Sequence, residues 1–144
     1  MIPDFISTGF LPNGIHWAEL GEIRKRYCWN GQRERLLAGF ERAVAALRVA
    51  GCRLVYLNGS FVTAKDYPGD YDACWEMAGV DPRLLDPVFL EFRNLRAAQK
   101  AKYLGEFFPA SAKAEMKSPF RTFLNFFQVD KYSGDAKGII GINL

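Results

Sequence analysis

The sequence holds one histidine, His16, and three cysteines, Cys28, Cys52 and Cys74, with no Cys-x-x-Cys pair among them. A single histidine rules out a histidine-rich metal centre and leaves one candidate for imidazole catalysis. That residue sits in a Pro-Asn-Gly turn region far from any activated-nucleophile motif, so a capping or packing role is expected for it. An odd number of cysteines so spaced argues against a disulfide framework or a zinc site and fits a reducing cytoplasm. There is no apolar run of transmembrane length and no charged-then-apolar leader, so a soluble, cytoplasmic protein is expected. Repeats, low-complexity tracts and linkers are missing too. Charge of one sign is scarce: 19 Lys and Arg oppose 16 Asp and Glu, a net +3, which makes no case for nucleic acid. The basic clusters Arg24-Lys25-Arg26, Arg33 to Arg42 and Arg93 to Lys102 read as solvated helix faces.

What is present is a chain of 144 residues, 49% hydrophobic and 15% aromatic. That is one domain, 1–144, long enough to bury a substantial core. Its informative stretch runs from Leu54 to Glu76. An apolar run of strand formers, Leu54-Val55-Tyr56-Leu57, leads to Gly59-Ser60, and two aspartates follow at alternate positions, Asp70 and Asp72, before a second apolar run. Residues i and i+2 of a strand point to the same face, so both carboxylates are expected on one side of a sheet. Like charges that close raise each other's pKa unless a cation neutralises them. Hard oxygen ligands suit magnesium, which commonly takes one or two carboxylates plus substrate phosphate. Gly59 lets backbone approach a ligand closely, Ser60 offers a hydroxyl, and a helical turn starting at Ser60 would present free N–H groups to an anion. Lys65, in the connection, is within reach of a phosphate oxygen or is simply an exposed lysine.

This order of strand, Gly59-Ser60, a gap over Phe61 to Gly69, and Asp70-Tyr71-Asp72 resembles the signature of the polymerase-beta-like nucleotidyltransferase superfamily, particularly its minimal members. More narrowly, Leu11 to His16, the central motif, Phe127 to Asp130 and Lys137 to Ile140 resemble an uncharacterised bacterial and phage family with such a core. The resemblance implies an α+β fold, a small mixed β-sheet with helices packed on it around a nucleotidyltransferase-like core. It also implies a nucleoside triphosphate as substrate, held by Gly59 and Ser60, and two magnesium ions on Asp70 and Asp72. A third acidic residue on a neighbouring strand would complete the metal site and help activate the attacking hydroxyl. Glu106 fits that order best and Glu91 is the runner-up. The implied activity is transfer of a nucleoside monophosphate to a hydroxyl acceptor, with protein, RNA and small molecules all open as acceptors. A second expectation from the resemblance is a catalytically inactive partner or binding protein on the same fold, of the toxin–antitoxin or phage-defence kind.

Along the chain, residues 1–16 read as an extended arm, rich in proline and glycine. Trp17, Leu20, Ile23 and Tyr27 fall at helical spacing. A second helix follows with Asn30 as cap, Leu36, Leu37, Phe40, Val44 and Leu47 on its inner face, Arg33 among its outward residues, and Gly51 as its stop. A strand is expected over Cys52 to Asn58, another over Asp70 to Glu76. Val88 to Phe92 is open between strand and helix. A helix over Asn94 to Leu104 precedes a short strand at Glu106 to Pro109. Ser118-Pro119 is read as the start of a helix that buries Phe120, Phe123, Leu124 and Phe127. Gly138 to Leu144 reads as a final strand at a sheet edge.

Overall fold

Leu36, Leu37, Phe40, Ala43, Val44 and Leu47 recur every three or four residues and are all buried, which is what makes Gly31–Val49 a helix with one committed face. The Asn30 side chain accepts from the Arg33 backbone N–H at 3.0 Å and caps its start. Past its end, Gly51 takes φ +98°, the left-handed stop that glycine adopts without a Cβ clash. The computed structural model describes residues 1–144, and this helix is α2 of the order β1 (Ile15–Trp17), α1 (Leu20–Tyr27), α2 (Gly31–Val49), β2 (Leu54–Asn58), β3 (Tyr71–Trp75), α3 (Arg93–Tyr103), β4 (Gly105–Pro109), α4 (Phe123–Phe126) and β5 (Ile139–Asn143). The fold is α+β with a mixed sheet, as the resemblance implies.

The sheet has five strands in the order β1-β5-β2-β3-β4. β2 runs antiparallel to both β3 and β5, whereas β3 with β4 and β1 with β5 are parallel pairs. Alternation along each strand divides the side chains between two cores. Val55 and Leu57, Tyr71, Ala73 and Trp75, and Phe107 join the larger cluster with α1 and α2. Tyr56, Cys74 and Ile139 join a smaller one with Ala110 and Phe127 from the C-terminal segment. Asn58, Asp72 and Glu106 alternate with the first set and so belong to the second face. They stand at the end of the sheet where that face is only partly covered.

Several expectations give way to tertiary structure. Trp17 lies in β1 rather than a helix, because Ile15, His16 and Trp17 pair with Ile139, Ile140 and Gly141. The N-terminal arm therefore ends in a strand, and β5 becomes an interior strand between β1 and β2 instead of an edge. His16 packs as expected, its Nε2 2.7 Å from the Pro12 carbonyl oxygen. Ser118 does not start a helix. Thr122 caps the single-turn α4 through the Asn125 N–H, and Phe120 stays 46% exposed while Phe127 is buried. Arg33 is fully buried rather than outward. The first turn of α3 is left-handed at Asn94, Leu95 and Arg96 (φ 52°, 54° and 62°), a costly conformation for residues with a Cβ. The same turn places Arg96 Nε 2.9 Å from Glu106 Oε1. No helix is long and apolar enough to cross a membrane.

Candidate functional site

Asp72 sits directly opposite Glu106 in the parallel β3–β4 register and opposite Asn58 in the antiparallel β2–β3 register. Asp70 lies two residues before Asp72, just ahead of β3. The outcome is a cluster in which carboxylate oxygens of Asp70, Asp72 and Glu106 all lie within 4.8 Å of one another. Glu91 is not part of it. It is tied to Arg93 at 2.6 Å on the surface, where the exposed ion pair holds its carboxyl down to about 2.

The Gly59-Ser60 turn faces this cluster. Gly59 has φ +82° and ψ −168°, a region nearly reserved for glycine. A Cβ built there would stand 2.9 Å from both the backbone N and Oδ2 of Asp72. Gly59→Ala should therefore cost about 1–3 kcal/mol of stability from backbone strain alone. It should also displace the Asp72 carboxylate and weaken divalent-ion binding. Urea melts and magnesium titration check both, and a variant matching the native protein in each would show that the close approach is unimportant.

After Ser60 the chain makes only one 3-10 turn, Ser60–Val62, so the expected helical anion site is too short to exist as such. The loop is held from below instead. Arg33 donates to the carbonyl oxygens of Phe61 at 2.6 Å, Thr63 at 2.8 Å, Tyr27 at 3.4 Å and also Lys65. Its guanidinium stacks 3.7 Å from the Trp29 ring centroid. Burial lowers its pKa to about 10, which leaves it charged at any physiological pH.

Around the carboxylates opens a cleft of about 660 Å³. Gly59, Ser60, Lys65, Asp70, Asp72 and Glu106 all line it, so the six residues singled out from the sequence share one cavity. Sequence reasoning missed the rest of the lining. Arg96 and Lys137 bring positive charge, and Phe108, Phe123 and Phe127 form an aromatic wall. Phe108 and Phe123 stack with centroids 4.3 Å apart. Lys137 was visible only as part of a motif in the tail, and no local pattern ties residue 137 to residue 72. Asn58 had a signal: it is the one polar side chain in the otherwise apolar run Leu54 to Asn58.

The electrostatics follow from burial and crowding. Burial first, then a proton shared with Glu106 and repulsion from Asp70, push Asp72 up to about 8. Asp70 is raised as well, by burial and then by Glu106. Burial works to raise Glu106 too, but the Asp72 proton and the Arg96 and Lys100 cations win and hold it below its ordinary value. Lys100 Nζ is 3.2 Å from Glu106 Oε1. Burial lowers the Lys137 ammonium. A divalent cation suits such a site, since it would displace the shared proton and compensate all three oxygens at once. The donor set is all-oxygen, the ligand chemistry that suits magnesium.

Fold and site together define a small α+β protein whose mixed sheet ends in an acidic, aromatic-walled cleft. The chain belongs to DUF6932, a family of unknown function whose model matches residues 3–143. Neither a curated protein nor a solved structure matches it.

Proposed function

We propose that this protein is a magnesium-dependent nucleotidyltransferase of the polymerase-beta-like kind, moving a nucleoside monophosphate from a nucleoside triphosphate to a hydroxyl acceptor. The observation that carries the reading is the carboxylate triad at the ends of β3 and β4, beside a Gly-Ser loop whose glycine leaves no room for a Cβ against Asp72. Asp70, Asp72 and Glu106 are the residues that would hold the metal. Magnesium bound there would supply charge neutralisation for the attacking and leaving oxygens of an in-line displacement.

The chain's own groups take the other roles. The Ser60 hydroxyl donates to a phosphate oxygen, and Lys65 and Lys137 balance the charge of the triphosphate. The wall of Phe108, Phe123 and Phe127 offers a flat apolar face to a base, a contact worth roughly 1–3 kcal/mol per stacked base. Glu106, kept ionised by Arg96 and Lys100, takes the proton of the acceptor hydroxyl on a carboxylate oxygen as the new O–P bond forms. The bond from the α-phosphorus to the pyrophosphate oxygen breaks, and pyrophosphate leaves.

Isothermal titration with the four ribonucleoside triphosphates tests this. Binding of at least one is expected with magnesium and should vanish in EDTA. A folded protein that binds none of them in either buffer would sink the reading.

A further inference from the structure

We propose that Asn58 reads a sugar hydroxyl of the bound nucleotide, an inference that rests on the nucleotide reading of the cleft and adds a determinant of which nucleotides enter it. Asn58 is 1% exposed, and neither its Oδ1 nor its Nδ2 has a hydrogen-bond partner in the protein. It nonetheless lines the cleft, on the same face as Asp72, which stands opposite it in register. Buried amides are normally paired, and one left unpaired costs stability. An isosteric leucine would continue the apolar pattern of Leu54 to Leu57 at no such cost. The polar side chain is therefore unfavourable for folding alone and has to be explained by something that enters the cleft.

The chemistry of that something is constrained by the two orphaned atoms. Oδ1 needs a donor and Nδ2 needs an acceptor. A metal ion supplies neither in that combination, and an ionised phosphate oxygen supplies only the acceptor. A hydroxyl supplies both, as does the edge of a base. Position decides between them. Asn58 directly precedes Gly59-Ser60 and faces Asp72, so it sits beside the phosphate and metal positions. The part of a nucleotide next to its phosphates is the sugar, with the base a ring further on, toward the aromatic wall. An analogue without the hydroxyl would leave this buried amide unpaired, which makes discrimination against it steep.

The test compares native protein titrated, with magnesium, against each ribonucleoside triphosphate and its 2′,3′-dideoxy counterpart, alongside Asn58→Leu. The native chain should bind the dideoxy form about 10- to 100-fold more weakly, the worth of a hydrogen-bonded hydroxyl whose loss leaves a buried amide unpaired. Asn58→Leu should bind the two forms equally and should melt at a higher temperature than the native chain. Equal binding of both forms by native protein overturns the proposal and leaves the nucleotide reading standing, whereas binding of neither form overturns the nucleotide reading itself. A lower melting temperature for Asn58→Leu also overturns it, because the amide would then be serving the fold.

Discussion

Asp72→Asn is expected to be more stable than the native chain in metal-free buffer at pH 8.5, and yet to bind magnesium–nucleotide more than ~100-fold more weakly, since even losing a group that only hydrogen-bonds to a metal ligand typically costs 10- to 100-fold. Both effects come from one cause. The folded state raises Asp72 from an ordinary value of 3.8 to about 8, chiefly by burial and then through Glu106 and Asp70. A carboxyl raised by folding favours the protonated form, so its contribution to stability is complete below about 3.8 and is lost as pH climbs through about 8. The metal-free native chain should accordingly lose stability across that window. Asparagine cannot ionise, so it removes the Asp72 share of the slope and leaves that of Asp70. Magnesium should remove the whole slope, by compensating the charge that the fold disfavours. Urea melts at pH 5, 7 and 8.5, in EDTA and in magnesium, provide the measurement. A native stability that is flat with pH and indifferent to magnesium would mean that the three carboxylates do not share a desolvated site.

The largest stability loss is expected at Arg33. Replacing it with methionine, which fills similar space, should cost roughly 3–5 kcal/mol, because two buried and two part-buried carbonyls lose a charged donor at once and each buried one left unpaired costs about 1–3 kcal/mol. Those carbonyls belong to Tyr27, Phe61, Thr63 and Lys65. Arg33→Lys should rescue little, since an ammonium cannot span the fork of acceptors that a planar guanidinium reaches. The consequence extends to the cleft, because the loop clamped by Arg33 carries Ser60 and Lys65. Amide exchange at residues 61–65 should accelerate in the variant while the β3–β4 pair stays protected. A loss below about 1 kcal/mol, the range of an ordinary surface change, would show that the carbonyls find water and that the clamp is dispensable.

The central motif was legible because its pieces obey short-range rules. Period-two alternation put Asp70 and Asp72 on one face, and the Asn30 cap and Gly51 stop bounded α2. The choice of Glu106 over Glu91 came instead from the superfamily resemblance, which implies a third acidic residue on a neighbouring strand. Arg33 escaped the same rules. It sits next to Glu34 at the start of an amphipathic helix, where an arginine usually faces water, and the returning loop at 61–65 together with the Tyr27 carbonyl at the end of α1 supplies the acceptors that make burial tolerable. Phe120 fell on the right helical face of a helix that never forms, since Thr122 caps a later and shorter one.

The amino-acid order alone located the strands bearing Asn58, Asp72 and Glu106 and the glycine turn beside them, while the α+β class came from the family resemblance those pieces carry. The strands and the turn depend on residue periodicity and on local backbone preference, which act within a few positions. Tertiary structure alone decided that β5 lies inside the sheet, that Arg96 and Lys137 border the carboxylates, and that phenylalanines from the C-terminal segment wall the cleft. Those outcomes depend on contacts between residues far apart in sequence. No local propensity encodes them, because the burial and charge that select them exist only once the chain has closed on itself.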